Sequence, residues 1–132
     1  RYGAKLKFIC LLPAQLESVQ VLRFLLQPIV ENSVIHGLNG DKEGTIRIIV
    51  ERSDGTLMIR VADDGCGIDP DALEQLNRTL AEEKAPDVEK RNHGFALYNI
   101  NRRIQLNYGV RYGLRVKSVL NIGTTVIICI PL

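Results

Sequence analysis

The chain lacks the features that mark several classes of protein. Aromatic residues make up only 5% of its 132 residues and tryptophan is absent, which argues against a binder that stacks single-stranded bases. The formal net charge is only +2, so the composition shows neither a strong nucleic-acid signal nor an acidic tail. No stretch reaches the roughly 18 apolar residues of a membrane-spanning helix, and we expect no signal peptide.

Cysteine is also scarce, and its placement excludes a metal site or a disulfide framework built on sequence spacing. The three cysteines lie far apart, a pattern typical of a reducing, cytoplasmic compartment. Cys10 and Cys129 fall within strand-like runs, where we expect them to be small apolar core residues. Because the chain begins with Arg1 rather than Met, we expect it to be part of a longer protein, whose other parts can include membrane segments.

The length fits one domain with a proper core, and five segments have the composition of β-strands. A hairpin turn is predicted at "RSDG" and another from Asn121 to Gly123. The strand-like segments are "KLKFICLL" from Lys5, "TIRIIVE" from Thr45, "TLMIRVA" from Thr56, "YGLRVKSVL" and "GTTVIICIPL".

Three segments have helical signals. "VLRFLLQPIVENSVIHG" carries apolar residues at helical spacing, and Pro28 within it predicts a helix entry or break, with the main helix running on to His36. Asp69 can cap a second helix that has Pro70 at its first position, and "FALYNINRRIQLNYG" predicts a third that stops at Gly109. These elements predict an α+β two-layer sandwich, a mixed sheet with helices on one face.

Between the second and third helices lies "AEEKAPDVEKRNHG", which is polar, charged and interrupted by proline. We expect a mobile loop there. Such a long insertion without structure of its own is usually functional in a compact domain.

The stretch "VADDGCGIDP" places two acids at the end of a buried strand. A carboxylate fixed at Asp63 or Asp64 can accept a hydrogen bond from an amine such as the exocyclic amine of adenine. Gly65 and Gly67 would let a ligand approach the main chain without a Cβ in the way. The alternative is an Asx-type turn before a helix cap, and this decapeptide alone does not separate the two.

The stretch "ENSVIHG" places polar residues in an otherwise apolar helix. Asn32 and His36 are four residues apart and share a face. The amide oxygen of Asn32 can be a ligand of Mg²⁺, and Glu31 can act as a general base or hold a water. The alternative is a helix that turns polar toward solvent near its end, and for His36 alone we favour that alternative.

The stretch "HGFALYNINRR" places Gly94 where the loop meets a helix N-terminus. Such a junction has free backbone N–H groups and a dipole that favours anions. Arg102 and Arg103 lie further along, and either could reach phosphates or form a surface ion pair. For one of them we favour the surface pair.

Taken in order, these motifs resemble the GHKL ATPase superfamily, and within it the catalytic ATP-binding (HATPase_c) domain of LytS/YesM-type sensor histidine kinases. "LQPIVENSVIHG" is similar to that family's N box, "DDGCGI" to its first glycine box, "HGFALYNINRRIQLNYG" to its second and "GTTVIICIP" to its closing strand. The resemblance covers nearly the whole chain. It implies the Bergerat fold, in one catalytic domain over residues 1–132.

The resemblance also implies a role for each matching residue. Glu31 would assist the reaction, Asn32 would ligate Mg²⁺ and Asp63 would bind the adenine amine, with Asp64 facing the turn or solvent. The loop from about Leu80 to Gly94 would be the ATP lid. Nucleotide contacts are implied for Asn32, His36, Asp63, Gly65, Gly67, Ile68, Gly94, Phe95, Ala96, Leu97 and Thr124.

The implied function is to bind Mg-ATP and donate its γ-phosphate to a histidine on a separate dimerisation domain of the same protein. The phosphorelay would continue to a response regulator, with no nucleic-acid partner. The resemblance implies a cytoplasmic domain of a membrane-anchored bacterial sensor.

Two departures from the family pattern matter. Ala96 stands where the second glycine box usually has glycine, and neither His36 nor His93 lies in a phosphoacceptor motif. Two alternatives therefore stay open. One is another GHKL ATPase, such as an anti-sigma serine kinase or a mismatch-repair or topoisomerase ATPase domain. The other is a nucleotide-sensing module without turnover, which Ala96 favours.

Overall fold

The computed structural model describes residues 6–11, 20–34, 44–81 and 95–131. Five strands form one sheet in the order β1-β2-β3-β5-β4, with β1 parallel to β2 and every other pair antiparallel. The predicted mixed sheet is therefore confirmed. In chain order the elements are β1 Leu6–Leu11, α1 Gln20–Asn32, β2 Gly44–Ser53, β3 Thr56–Asp63, α2 Pro70–Ala81, α3 Phe95–Tyr108, β4 Gly113–Val119 and β5 Gly123–Pro131.

One face of the sheet is buried under the helices. Side chains along β3 alternate between buried and half-buried, as expected for a strand covered on one side. Contacts join α1 to β3, α2 to β4, and α3 to both β4 and β5. The predicted two-layer sandwich is therefore confirmed. Its core includes Ile29, Ile46, Leu57, Ile59, Val61, Leu97, Ile100, Ile104, Val126, Ile128 and Ile130.

The prediction that Cys129 is a core residue is wrong. Ile128 and Ile130, on either side of it, are buried, so Cys129 lies on the opposite face of β5, where it is half-buried. The strand was predicted correctly, but both of its faces are apolar in this region, and the sequence pattern did not show which face the helices cover. Cys10 lies in β1, and its burial lies outside the described side chains.

The prediction that Pro28 begins or breaks a helix is wrong. Pro28 lies inside α1, which begins at Gln20. A proline there removes one backbone hydrogen bond and costs about 3 kcal/mol in a typical helix interior. Ile29 beside it is fully buried, and Leu26 and Val30 pack on the same core. Full burial of a side chain such as Ile29 contributes about 1.5–3 kcal/mol, and the partial burial of Leu26 and Val30 adds to it, which offsets the cost.

The turns and caps follow the local sequence. Asp54 and Gly55 both have positive φ, 46° and 79°, as a two-residue hairpin turn of type I′ requires. The Asp69 carboxylate accepts hydrogen bonds from the N–H groups of Asp71 (2.9 Å) and Ala72 (3.3 Å), which caps α2. In the described part of the chain, no helix is long and apolar enough to cross a membrane.

Candidate functional site

The site is centred on Asp63, the last residue of β3, which is only 9% exposed. Its carboxylate accepts hydrogen bonds from the Gly65 N–H (2.9 Å, at Oδ1), from the Thr124 N–H and from the Ser33 hydroxyl. The bond to Gly65 is an Asx-type turn, so that alternative is correct as a description of the loop. It does not account for the donors from α1 and β5, which make the carboxylate a fixed acceptor.

Burial raises the pKa of Asp63 above its ordinary value, and the charge of Asp64 acts in the same direction. The three hydrogen bonds lower the pKa and oppose this effect without cancelling it. The ionised carboxylate is therefore held at some cost to the folded state. Such a cost is common where a buried group has a binding or catalytic task.

This raised pKa predicts how stability depends on pH. Because the folded state holds the Asp63 proton more tightly than the unfolded state, the stabilisation is fully present below the ordinary value of 3.8 and is lost as pH rises through the folded-state pKa. The measurement is urea unfolding of the chain and of Asp63→Asn from about pH 3 to 7, without nucleotide. The free energy of unfolding of the parent, relative to the variant, should fall with rising pH. If this relative free energy of unfolding rose with pH instead, the raised pKa of Asp63 would be contradicted.

The neighbouring Asp64 has a different role. Its side chain is exposed, and its Oδ1 accepts a hydrogen bond from the Thr45 N–H at 2.8 Å, while its own N–H donates to the Thr45 carbonyl at 3.3 Å. Asp64 thus faces solvent as expected, and it also joins the end of β3 to the start of β2. The two adjacent acids face different environments because side chains alternate along a strand.

The turn after β3 packs tightly on the hairpin between β4 and β5. Gly67 has φ 71°, and a Cβ built on it would overlap the Val119 carbonyl oxygen. The Cys66 carbonyl accepts a hydrogen bond of 2.7 Å from the Asn121 N–H. Packing against the chain itself is therefore a sufficient reason for glycine at 67, whereas the sequence had suggested space for a ligand. The role of Gly67 beside a base stays a prediction.

Ser118 is a site residue that sequence reasoning missed. Its Oγ accepts from the Ile68 N–H at 2.8 Å, donates to the Gly123 carbonyl at 2.9 Å and lies 2.8 Å from Thr124 Oγ1. Ser118 thus joins the glycine turn to β5, and it occupies the N–H of Ile68 in a hydrogen bond. Nothing in the sequence around Ser118 distinguishes it from any other serine in a strand.

The end of α1 points three neighbouring residues in different directions. Glu31 is exposed, Asn32 is half-buried and Ser33 is only 4% exposed. A π turn covers Ser33 and Val34, and such turns often occur at functional sites. Ser33 was also missed, although a signal existed: it follows the fully buried Ile29 by four residues, which places it on the core face.

The second glycine box is described in part. Gly94, His36 and most of the expected lid, residues 82–94, lie outside the described residues. α3 begins at Phe95, and Ala96 is exposed in its first turn. Within the described residues, only Asp54 and Asn121 combine positive φ with a side chain, so Ala96 has ordinary helical geometry.

Leu97 is only 2% exposed and belongs to the core, so only its main chain remains for a ligand contact. Arg102 contacts Gln105 at 3.5 Å. The ion pairs found between described residues, Arg60–Glu51 and Arg78–Glu74, include neither Arg102 nor Arg103. A surface pair for either arginine stays a prediction.

The protein oxygens near the end of α1 are compatible with a Mg²⁺ ion that is held mainly by the phosphates of a bound substrate. Over the described ranges, no three His, Cys, Asp or Glu side chains come together as a metal site. Mg²⁺ often takes one or two protein oxygens and completes its coordination with substrate phosphates and water. The half-buried amide of Asn32 can supply one such oxygen.

Comparison with known proteins identifies the family of the chain. The HATPase_c model, described as histidine kinase-, DNA gyrase B-, and HSP90-like ATPase, matches residues 18–132. The sensor protein LytS of Bacillus subtilis is 31% identical over 133 residues, covering 100% of this chain and 21% of LytS. The sensor histidine kinase YesM of the same organism is 30% identical over 132 residues, 99% of this chain and 20% of YesM. The chain therefore spans about a fifth of the length of these relatives.

A shorter relative and a solved structure extend the comparison. The anti-sigma F factor of Clostridium botulinum is 32% identical over 92 residues, which is 68% of this chain and 61% of that protein. A structure of the catalytic domain of histidine kinase ThkA superimposes with a TM-score of 0.69 at 16% identity, over 98% of this chain and 81% of that chain. At that identity the likeness shows the fold. The family match over residues 18–132 establishes that the chain belongs to the HATPase_c family of ATPase domains, and within it the chain is similar to the LytS and YesM sensor kinases.

Proposed function

We propose that the chain binds Mg-ATP and donates the γ-phosphate to a histidine on a separate dimerisation domain of the same protein. The observation that carries this is the buried Asp63 carboxylate, held as an acceptor beside a glycine turn in a HATPase_c domain. We further propose that a response regulator receives the phosphoryl group and that the domain is the cytoplasmic part of a membrane-anchored sensor. The names of LytS and YesM support a signalling role.

In this proposal the base is read at the end of β3. The Asp63 carboxylate accepts from the exocyclic amine of adenine, and Gly65 and Gly67 line the base. Ile68 contributes its half-buried side chain, because its N–H is already bonded to Ser118. Thr124 supports Asp63 through its own N–H.

The phosphates would lie toward the C-terminal end of α1 and the N-terminal end of α3. Asn32 supplies an amide oxygen to Mg²⁺, and the exposed Glu31 assists the transfer. The first N–H groups of a helix have no partner within the helix and suit an anion, and the start of α3 is where Gly94, Phe95, Ala96 and the main chain of Leu97 would act. His36 completes the proposed contacts. Bound Mg²⁺ would neutralise charge on the phosphates during transfer.

A serine kinase of the anti-sigma type is a second candidate, because the anti-sigma F factor of Clostridium botulinum is 32% identical over 92 residues. That candidate predicts transfer to a serine, which gives an acid-stable phosphoester. The histidine kinase predicts an acid-labile phosphohistidine. A nucleotide sensor would bind ATP and transfer nothing.

The experiment is incubation of the chain with radiolabelled ATP, alone and with the dimerisation domain of its own protein. We expect acid-labile label on the dimerisation domain and none on the chain, since neither His36 nor His93 lies in a phosphoacceptor motif. The control is a dimerisation domain whose histidine is replaced by glutamine. Acid-labile label on the chain alone, removed by His36→Gln or His93→Gln, would contradict the prediction.

Ala96→Gly tests whether the departure from the glycine box disables the site. Because Ala96 already has helical geometry and keeps its N–H, ATP affinity should change by less than about tenfold, or about 1.4 kcal/mol. The melting temperature without ligand should fall slightly, since glycine is a poorer helix former than alanine, by up to about 0.8–1.0 kcal/mol in a helix interior. Calorimetric titration and thermal melts measure both. If the parent does not bind ATP and the glycine variant does, Ala96 has disabled the site.

A further inference from the structure

We propose that Ser33 is a positioning residue, which holds the Asp63 carboxylate as an acceptor of the adenine amine and so contributes to selectivity for adenine over guanine. The inference rests on the proposed function and extends it to a residue of the N-box stretch for which the resemblance implied no role. Ser33 itself need not touch the nucleotide.

Ser33 is buried and in hydrogen-bond contact with the Asp63 carboxylate. It is 4% exposed, it lies in the π turn that ends α1, and its hydroxyl donates to Asp63 on the neighbouring strand β3. The other two donors, at Gly65 and Thr124, are backbone N–H groups. Among the partners of Asp63 in the described chain, Ser33 is thus the residue that donates from its side chain. It is also the partner that comes from the end of α1.

Selectivity follows from the chemistry of the carboxyl group. Adenine carries an amine at the position where guanine carries a carbonyl oxygen. An ionised carboxylate only accepts hydrogen bonds, whereas a protonated carboxyl group can also donate one. Donation from Ser33 favours the ionised form and keeps its oxygens in place. Loss of this donor should therefore weaken ATP binding while removing part of the discrimination against GTP.

A merely structural role for Ser33 predicts a different result. A buried hydroxyl that only fills space would change the melting temperature when it is removed. It would leave the pH profile of binding and the ATP-to-GTP ratio unchanged. These two readouts therefore separate positioning from packing.

The experiment measures ATP and GTP affinity for the parent, Ser33→Ala and Ser33→Thr from about pH 4 to 8. Ser33→Ala should lower ATP affinity about three- to tenfold, which is less than the loss of a direct hydrogen bond to a charged group, because Ser33 acts through Asp63. GTP affinity should fall less, and the acid limb of ATP binding should move to higher pH. Ser33→Thr keeps a hydroxyl and should restore the parent profile. If Ser33→Ala does not fold, Ser33→Cys replaces it, since a thiol is a much weaker donor.

Two controls isolate the contact between Ser33 and Asp63. Thr79→Ala removes the hydroxyl of a half-buried residue of α2 outside the candidate site, so the acid limb should keep its midpoint. In an Asp63→Asn background, Ser33→Ala should add little further loss of ATP affinity, because coupled residues are not additive.

NMR titration of the Asp63 carboxyl group without nucleotide separates this inference from the proposed function. If the parent fails to bind ATP, the proposed function and the selectivity role both fail. A higher Asp63 pKa in Ser33→Ala would then still show the positioning contact. If Ser33→Ala leaves both the Asp63 titration and the ATP-to-GTP ratio unchanged, the inference is overturned even when the parent binds ATP well.

Discussion

Replacement of Asp63 by Asn is expected to lower the ATP affinity of the chain at least about tenfold, since a hydrogen bond to a charged group contributes roughly 1.5–3 kcal/mol. The amide that replaces the carboxylate keeps one oxygen, which can still accept from the Gly65 N–H. Its NH₂ group donates, and so opposes the adenine amine if it faces the base. The Ser33 hydroxyl can accept as well as donate, so the variant should fold. Calorimetric titration with ATP measures the loss, and circular dichroism checks the fold.

Asp64→Asn is the matched control for this prediction. It removes the same charge one residue away, and its amide oxygen can still accept from the Thr45 N–H. Because Asp64 is an exposed residue, the change in ATP affinity should stay within about 0.5 kcal/mol. A similar loss in both variants would indicate a general disturbance of the end of β3, because removal of a negative charge should by itself favour an anionic ligand. Equal affinity of the parent for ATP and GTP would contradict the role of Asp63 altogether.

Replacement of Asn32 by Ala is expected to abolish the Mg²⁺ dependence of ATP binding and of phosphotransfer. The physical reason is the loss of the proposed protein oxygen on the metal at the half-buried end of α1. ADP binding should be less affected, because contacts with the base at Asp63 remain. Titrations with ATP and ADP, each with and without Mg²⁺, give the comparison, together with transfer to the dimerisation domain.

Gln27→Ala provides the control on the same helix. Gln27 is an exposed polar residue of α1, away from the turn at its end, and the variant should keep the full Mg²⁺ response. If Asn32→Ala also keeps that response, Asn32 is only a polar residue at the end of a helix. Loss of ADP binding to the same extent as ATP binding would instead indicate local unfolding.

Much of the fold could be predicted from the sequence because the relevant signals are local. Alternating residues such as Leu57, Ile59 and Val61 indicate a strand covered on one side, since the period of a strand is two residues. Asp54 and Gly55 predict a tight hairpin because that turn needs positive φ at two adjacent positions. Asp69 predicts a helix start because the capping bond closes within three residues.

Part of the candidate site was also accessible from the sequence. The position of Asp63, at the end of an apolar strand and before a Gly-x-Gly turn, was compatible with a fixed carboxylate or an Asx-type turn, and the structure shows a carboxylate that is 9% exposed and also accepts from the Gly65 N–H. The motif order around it indicated the family, which the match over residues 18–132 shows. The roles of the residues toward nucleotide stay predictions, since they depend on ligand contacts.

The tertiary structure alone decided the features that depend on atoms far apart in the chain. Pro28 stays inside α1 because its neighbours are buried by other elements, which a local helix rule does not include. Cys129 faces away from the helices because packing selects one of two apolar faces of β5.

The sequence by itself thus determined the strands, the turns, the cap of α2 and the family, because each of these signals acts through residues close together in the chain or through motif order. Only the tertiary structure decided what surrounds the central carboxylate and its turn. Gly67 is required by the carbonyl of Val119, and Asp63 is held by donors from α1 and β5. Such contacts form when distant segments pack together, and no periodicity or local propensity encodes which atoms will meet.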